Sequence, residues 1–240
     1  MDGSKNKNDA QISRQNISYY NEIAPDYDDI LNKDTANSII RDKVAAKFTS
    51  LVNGGAVLDF GGGTGRDFGW LLQRGYHIIF CEPSVAMRQI AIERAKSEFP
   101  DAGISFFDEN TVDFRNWSAV FPFDQKVNAV LANFAVINCI PDIELLFEKL
   151  ALVTEPGGIV IALMLDNSLA KRLRASPKGI VKSFFFGDPV SIFIDYNGER
   201  QLVYIHSTNA IRKAVANSFE FVHLDRMEGF GFCLIHLVRK

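Results

Sequence analysis

The sequence predicts an α/β fold, a doubly wound, mostly parallel sheet of seven strands closed by an antiparallel pair. Three observations lead there. Short, continuously apolar runs such as 56–60 and 159–165 read as strands buried on both faces. Segments of helical spacing separate these runs, so consecutive strands pair in parallel through right-handed crossovers. The first such strand ends in Asp59 and a glycine-rich bend, Gly61-Gly62-Gly63-Thr64-Gly65. An open parallel sheet takes its ligand at such a bend.

Element by element, residues 1–15 are rich in Asn, Lys, Ser and Asp and read as a disordered tail. A helix over 17–31 breaks near Pro25, and a second, over 35–52, stops at Gly54-Gly55. Strands follow at 56–60, 76–81, 104–107, 126–133 and 159–165. Helices lie at 66–74, at 85–98 capped by Ser84, and at 143–153 begun by Asp142. After residue 165 the alternation breaks. Residues 166–206 form an inserted cap with a hairpin, 190–196 and 201–206, turning at Asn197-Gly198. Thr208 caps a helix to 218, and strands 219–224 and 232–238 close the sheet. The expected domain is therefore 16–240, with helices 16–53 over the ligand and 166–206 as substrate cap.

Composition narrows the function. Across 240 residues, 47% hydrophobic and 23% charged content suits a soluble globular domain with a sizeable core. A net charge of −3 and no basic run give no electrostatic footing for nucleic acid or an anionic membrane. Cys81, Cys139 and Cys233 lack metal-ligand spacing, so no metal site is expected and the thiols read as reduced. No apolar run approaches the roughly 20 residues of a membrane helix. The expected setting is cytoplasmic, the expected state a monomer or homodimer, and the partner a small-molecule substrate.

The glycines decide the ligand. Counting G-x-G-x-x-G from Gly61 puts Arg66 at the third glycine, so a nicotinamide dinucleotide does not fit. Asp59 followed by x-G-x-G-x-G instead resembles the first motif of class I S-adenosylmethionine-dependent methyltransferases, a Rossmann-like family. Tyr19 to Asp28 is similar to the Y-x-x-x-A-x-x-Y-D segment of the small-molecule, ubiquinone/menaquinone-methyltransferase-like branch, and Glu155-Pro156-Gly157-Gly158 to the turn before its fifth strand. The resemblance implies S-adenosyl-L-methionine as cofactor, held at Gly61, Gly63 and Gly65. It implies that Asp59 and the Asn133 carbonyl meet the methionine ammonium, that Glu82 takes the ribose hydroxyls, and that Pro83 and Met87 continue that wall. Asp108 is the implied acceptor for the adenine amino group, with Glu109 beside the ring. Tyr19 and Tyr27 are expected at the methionine end.

The implied activity is methyl transfer to a small apolar or aromatic molecule; the alternative is a methyltransferase-like protein that binds cofactor or product without turnover. The apolar runs Phe184-Phe185-Phe186 and Ile192-Phe193-Ile194 of the insertion favour an apolar substrate. No general base stands out, and His206, Tyr204 and Asn138 are the candidates nearest the expected pocket.

Overall fold

The computed structural model describes residues 2–118, 126–168, 189–196 and 198–240, the side chains of 2–10 and of 196 excepted. The strands are β1 (Ala56–Phe60), β2 (His77–Cys81), β3 (Ile104–Phe106), β4 (Val127–Ala132), β5 (Thr154–Leu165), β6 (Val190–Tyr196), β7 (Glu199–Ile205), β8 (Phe219–Met227) and β9 (Phe232–Arg239). The described helices are α1 (Asp2–Ile23), α2 (Tyr27–Asn32), α3 (Thr35–Thr49), α4 (Phe68–Gln73), α5 (Val85–Glu98), α6 (Ile143–Val153) and α7 (Thr208–Val215). Seven strands form one sheet in the order β3-β2-β1-β4-β5-β9-β8, and β6-β7 stand apart as a hairpin. The first five are mutually parallel, while β9 runs antiparallel to β5 and β8.

Alternation along the strands sorts the core into two layers. Leu58, Val130 and Ala162 face Phe147 and Leu150 of α6 and the buried Trp117. Val57, Leu131 and Ile161 face Val44 and Phe48 of α3, Leu71 of α4 and Ala91 of α5. The winding reverses between β1 and β4, so a crevice opens at their carboxyl ends.

Two expectations give way here. Residues 2–15, expected as part of a disordered tail, lie within α1, whose contacts with the hairpin are at Gln15 and Asn16. Gln15 Nε2 donates to the Arg200 carbonyl at 2.9 Å. The Asn16 side chain accepts from Leu202 N (2.9 Å) and donates to Leu202 O (3.0 Å) and Cys139 O (3.2 Å). It thereby pairs with the outer edge of β7 as a neighbouring strand would. Secondly, α7 is capped by Ser207, whose Oγ accepts from Ala210 N at 3.1 Å, and Thr208 is its first residue. The Asn197 half of the hairpin turn and Phe184-Phe185-Phe186 lie outside the described residues.

Replacing Asn16 by alanine strips these partners from the β7 edge. Amide hydrogen exchange at Leu202 should accelerate about tenfold or more, the measure of one lost buried bond of roughly 1–2 kcal/mol. Unchanged protection would show that α1 does not hold the hairpin.

Candidate active site

The bend after β1 needs glycine at three positions for different reasons. Gly61, Gly63 and Gly65 sit at φ of +70°, +60° and +75°, where side chains are strained. A Cβ on Gly61 would fall 2.5 Å from Val136 Cγ1, and one on Gly65 2.4 Å from Phe68 Cε2. Both are packing glycines. A Cβ on Gly63 would meet only Tyr27 Cε1, at 3.7 Å, so Gly63 is where bare backbone borders open space.

That space is a cavity of about 430 Å³ bordered by Gly61, Gly63, Glu82, Tyr27 and Asn133. Glu82, at the end of β2, is 6% exposed. Its Oε2 accepts from Gly63 N at 2.9 Å and its Oε1 from Ser84 N at 2.7 Å. A carboxylate has about four lone-pair positions, so two are left for a ligand. Burial pushes the Glu82 carboxyl up to about 7, against the pull of the Ser84 and Gly63 amides and the Arg88 guanidinium. Pro83, Met87 and Glu109, which the resemblance names, border the same cavity. Asn133 borders it too, with its amide turned away to Asp67 Oδ2 (3.0 Å) and Phe134 N (3.0 Å). Phe134 and Ala135 follow at φ of +52° and +66°, a strained pair of non-glycine residues beside the crevice.

Other expected positions are placed elsewhere. Asp59 lies beneath the bend, fully buried, and a Cβ on Gly62 would touch its Oδ2 at 2.5 Å. Neither carboxyl oxygen has a hydrogen-bond partner. Burial, then the Asp67 charge, raise its pKa well above the usual carboxylate range, against the pull of Arg41. Asp59 therefore shapes the floor and does not line the cavity. Asp108 is exposed and caps its own loop, its Oδ1 accepting from Asn110 N (3.0 Å), Thr111 N (3.0 Å) and Thr111 Oγ1 (2.9 Å). Those bonds lower its pKa and hold Oδ1 within its own loop, and Asp108 does not border the cavity. Tyr19 packs against Ile23, Ala24 and Met87, and its neighbour Tyr20 lines the cavity instead.

The three candidate bases are also turned away, since none borders the cavity. Asn138 is fully buried, donating to Tyr204 O at 2.6 Å and accepting from Leu165 N at 3.0 Å. His206 is 2% exposed and bonds the Ile140 carbonyl at 3.0 Å; burial lowers it to about 4. Tyr204 stacks on the His206 ring at 6.2 Å. In their place the structure assembles Tyr20, Cys139 and Gln201. Gln201 Nε2 donates to Tyr20 Oη at 2.8 Å and to Cys139 Sγ at 3.1 Å. Burial raises both the Tyr20 phenol and the Cys139 thiol, the latter to about 11.

The sequence reading missed three further residues. Asp113 and Arg115 border the cavity, the Arg115 guanidinium bonding both Asp113 oxygens at 3.0 and 3.1 Å. Asp113 does carry a readable signal, since it caps the turn Phe114–Asn116. Arg41 of α3 pairs with Asp67 Oδ1 at 2.5 Å and lies 4.6 Å over the Phe134 ring. Among the described residues no cluster of His, Cys, Asp and Glu could hold a metal ion, and no helix is long and apolar enough to cross a membrane.

Comparison with known proteins bears on this arrangement. A family model described as a methyltransferase domain matches residues 33–217. Similar solved structures include DhpI in complex with S-adenosylhomocysteine, at 16% identity, TM-score 0.66, covering 95% of this chain and 97% of that one. Another is the Burkholderia thailandensis 1,6-didemethyltoxoflavin-N1-methyltransferase with bound 1,6-didemethyltoxoflavin and S-adenosylhomocysteine, at 12% identity, TM-score 0.68, covering 97% and 90%. A third is the glycopeptide N-methyltransferase MtfA with S-adenosylhomocysteine, at 16% identity, TM-score 0.57, covering 82% and 88%. No curated protein sequence matches significantly.

Glu82 has a measurable consequence without any ligand. Its folded-state value of about 7 lies above the ordinary 4.5, so the folded chain binds its proton more tightly than the unfolded chain does. The stability this contributes is fully present below 4.5 and is lost as pH rises through about 7. Carboxyl ¹³C titration should give Glu82 a midpoint near 7, and Glu82→Gln should flatten the stability curve across that window. A midpoint near 4.5 would contradict the burial seen here.

Proposed function

The chain belongs to the methyltransferase-domain family, and from that premise we propose that it transfers the methyl group of S-adenosyl-L-methionine to a small, uncharged, apolar or aromatic molecule. The observation that carries the reading is the open backbone face of Gly63 beside the two unused lone-pair positions of Glu82. A nucleoside needs that combination: a flat approach to the peptide and a planar double acceptor for the two sugar hydroxyls. The residues present fit the group, so Gly61, Gly63, Glu82, Pro83, Met87, Glu109, Asn133 and Tyr27 are assigned to holding it. Asp59 is assigned to the floor beneath.

When bound, the cofactor supplies a methyl group on a sulfonium, already activated for in-line attack. The chain then has to orient the acceptor and exclude water, and alignment alone contributes about 7–11 kcal/mol. The described side chains on the acceptor side, among them Ile17, Tyr20, Val136, Cys139 and Ile140, are all neutral. An ionised acceptor would lose its hydration there with no countercharge. Tyr20 stays a protonated phenol because burial raises it. Its assigned role is to hydrogen-bond the acceptor heteroatom, because burial works against its ionising to serve as a base. The bound small molecule in the Burkholderia structure is in keeping with this substrate class. In this reading residues 16–240 are one domain, with 16–53 covering the cofactor and 166–206 capping the substrate, working in the cytoplasm as monomer or homodimer.

A specific observation sustains the second reading, a protein that binds cofactor or product without turnover: His206, Tyr204 and Asn138 all face away from the cavity. Turnover of radiolabelled S-adenosyl-L-methionine on a panel of neutral phenols, quinol precursors and amines decides between the two.

Calorimetry tests the cofactor site directly. S-adenosylhomocysteine should bind, NAD should not, and Glu82→Ala or Gly63→Val should weaken binding about a hundredfold, the loss of two charge-assisted bonds or of the open face. Sugar hydroxyls donate to the ionised carboxylate, so affinity should fall as pH drops below about 7. With an acceptor in hand, Tyr20→Phe should lower kcat/KM about tenfold while leaving S-adenosylhomocysteine affinity unchanged. Equal affinity in both binding-site variants would refute the assignment.

A further inference from the structure

Resting on the cofactor reading above, we propose that Asp28 is a positioning residue: it locks the glycine bend from the N-terminal helices, and cofactor affinity and release depend on it although it does not face the cavity. Thr64 stands between Gly63 and Gly65, both at positive φ, and is 1% exposed. Its two polar groups are claimed by one ion pair. Thr64 Oγ1 donates to Asp28 Oδ1 at 2.7 Å, and Arg94 Nη1 of α5 donates to the Thr64 carbonyl at 2.5 Å. Arg94 Nη2 closes the ring on Asp28 Oδ2. Arg66, on the far side of the bend, reaches Asp28 Oδ1 at 3.4 Å and donates to Asn32 Oδ1 at 2.7 Å. Three elements distant in sequence, α2, the bend and α5, therefore meet on one carboxylate.

The position of this latch gives it a role beyond stability. Asp28 borders neither the main cavity nor the smaller one beside Arg41. Tyr27, the residue before it, lies against Gly63 and borders both. The chain thus places one side chain over the ligand face of the bend and the next behind the bend. A run with three glycines at positive φ has unusual conformational freedom, and binding must overcome it unless the run is held beforehand. Burial alone would raise Asp28; the Thr64 and Arg94 bonds more than offset it and hold the carboxyl below the usual range. The latch is charged at neutral pH, and ligand release requires the α2 segment to lift from the bend.

The test uses the full chain and S-adenosylhomocysteine, measuring affinity by calorimetry and release by stopped flow. Asp28→Asn should weaken binding and speed release about tenfold, the worth of one charge-assisted bond. Thr64→Val keeps the Asp28–Arg94 pair and should cost about the same, which covers the case in which the Asp28 variant folds poorly. If Asp28 acts through Thr64, the double variant should bind no worse than the weaker single one, within about twofold; additive losses overturn the proposal. Asp29→Asn removes the same charge one residue along α2, where Asp29 is exposed, and should leave affinity unchanged. Wild-type affinity in Asp28→Asn, or an equal loss in Asp29→Asn, overturns the proposal alone. Failure of the unmodified chain to bind S-adenosylhomocysteine sinks the cofactor reading, and the latch with it.

Discussion

The hydrogen bond from Gly63 N–H to the Glu82 carboxylate is the constraint on which the site depends. β1 and β2 pair in parallel up to Phe60 and Cys81, and Gly61 N extends that ladder by one rung to Cys81 O at 2.7 Å. Beyond that rung β1 has no room to continue. The chain turns back on positive φ at Gly61, and Gly63 N finds its acceptor in a side chain of the neighbouring strand. Strand tip and bend are joined there by a carboxylate. That carboxylate must be buried to reach the bend and half-satisfied to leave capacity for a ligand. Burial raises its pKa, and the two amide bonds offset that only in part.

The floor beneath follows from the same crowding. Asp59, Asp67 and Glu82 converge with Arg41 paired to Asp67 and Arg88 set beside Glu82. Asp67 takes the donors: Arg41 Nη1 at 2.5 Å, Trp70 Nε1 at 2.8 Å and Asn133 Nδ2 at 3.0 Å. Asp59 is left with none, and a buried carboxylate without donors keeps its proton rather than its charge. One acid thus becomes a hub that ties α3, α4 and the strand after the switch point into one unit. The other becomes a buried spacer under Gly62. In the same crevice Phe134 and Ala135 hold left-handed backbone, the Phe134 ring covered by the Arg41 guanidinium.

Much of this was legible because parallel sheets place strand ends predictably. The succession of strands, the bend and the place of Glu82 at a strand end followed from runs of apolar residues and the glycines after them, while Pro83 and Met87 came from the family resemblance. What failed shares a physical cause, namely competition decided by atoms distant in sequence or by a single step along the chain. Asp108 ends a strand as Glu82 does, yet the amides of Asn110 and Thr111 lie within its reach and capture it. Tyr19 and Tyr20 differ by one position, about 100° around a helix, and nothing in the polar segment before them fixes the phase. Residues 2–15 read as a polar tail yet run within α1, which meets β7 at Gln15 and Asn16 through Arg200 and Leu202, some 185 positions on. Ser207 and Thr208 are equivalent caps until the backbone chooses. Arg41 sits in a helix with no motif around it.

The attachment of the insertion completes the logic of the cavity. α1 meets β7 along a seam of Asn16, Tyr20 and Gln201, and these polar groups are largely spent on one another and on β7 backbone. A seam of that kind holds the hairpin without placing a charge beside the acceptor. The charged residues that border the cavity are Glu82, Arg88, Glu109, Asp113 and Arg115, and the Asp113–Arg115 pair is closed on itself. The two sides therefore make different demands on what they bind. On the proposed reading, one satisfies the hydroxyl and amino donors of a nucleoside, and the other offers apolar surface with the Tyr20 phenol, which Gln201 orients. On that reading an acceptor entering there is selected by shape and by the hydrogen bond Tyr20 offers, because a full charge loses its hydration among neutral side chains.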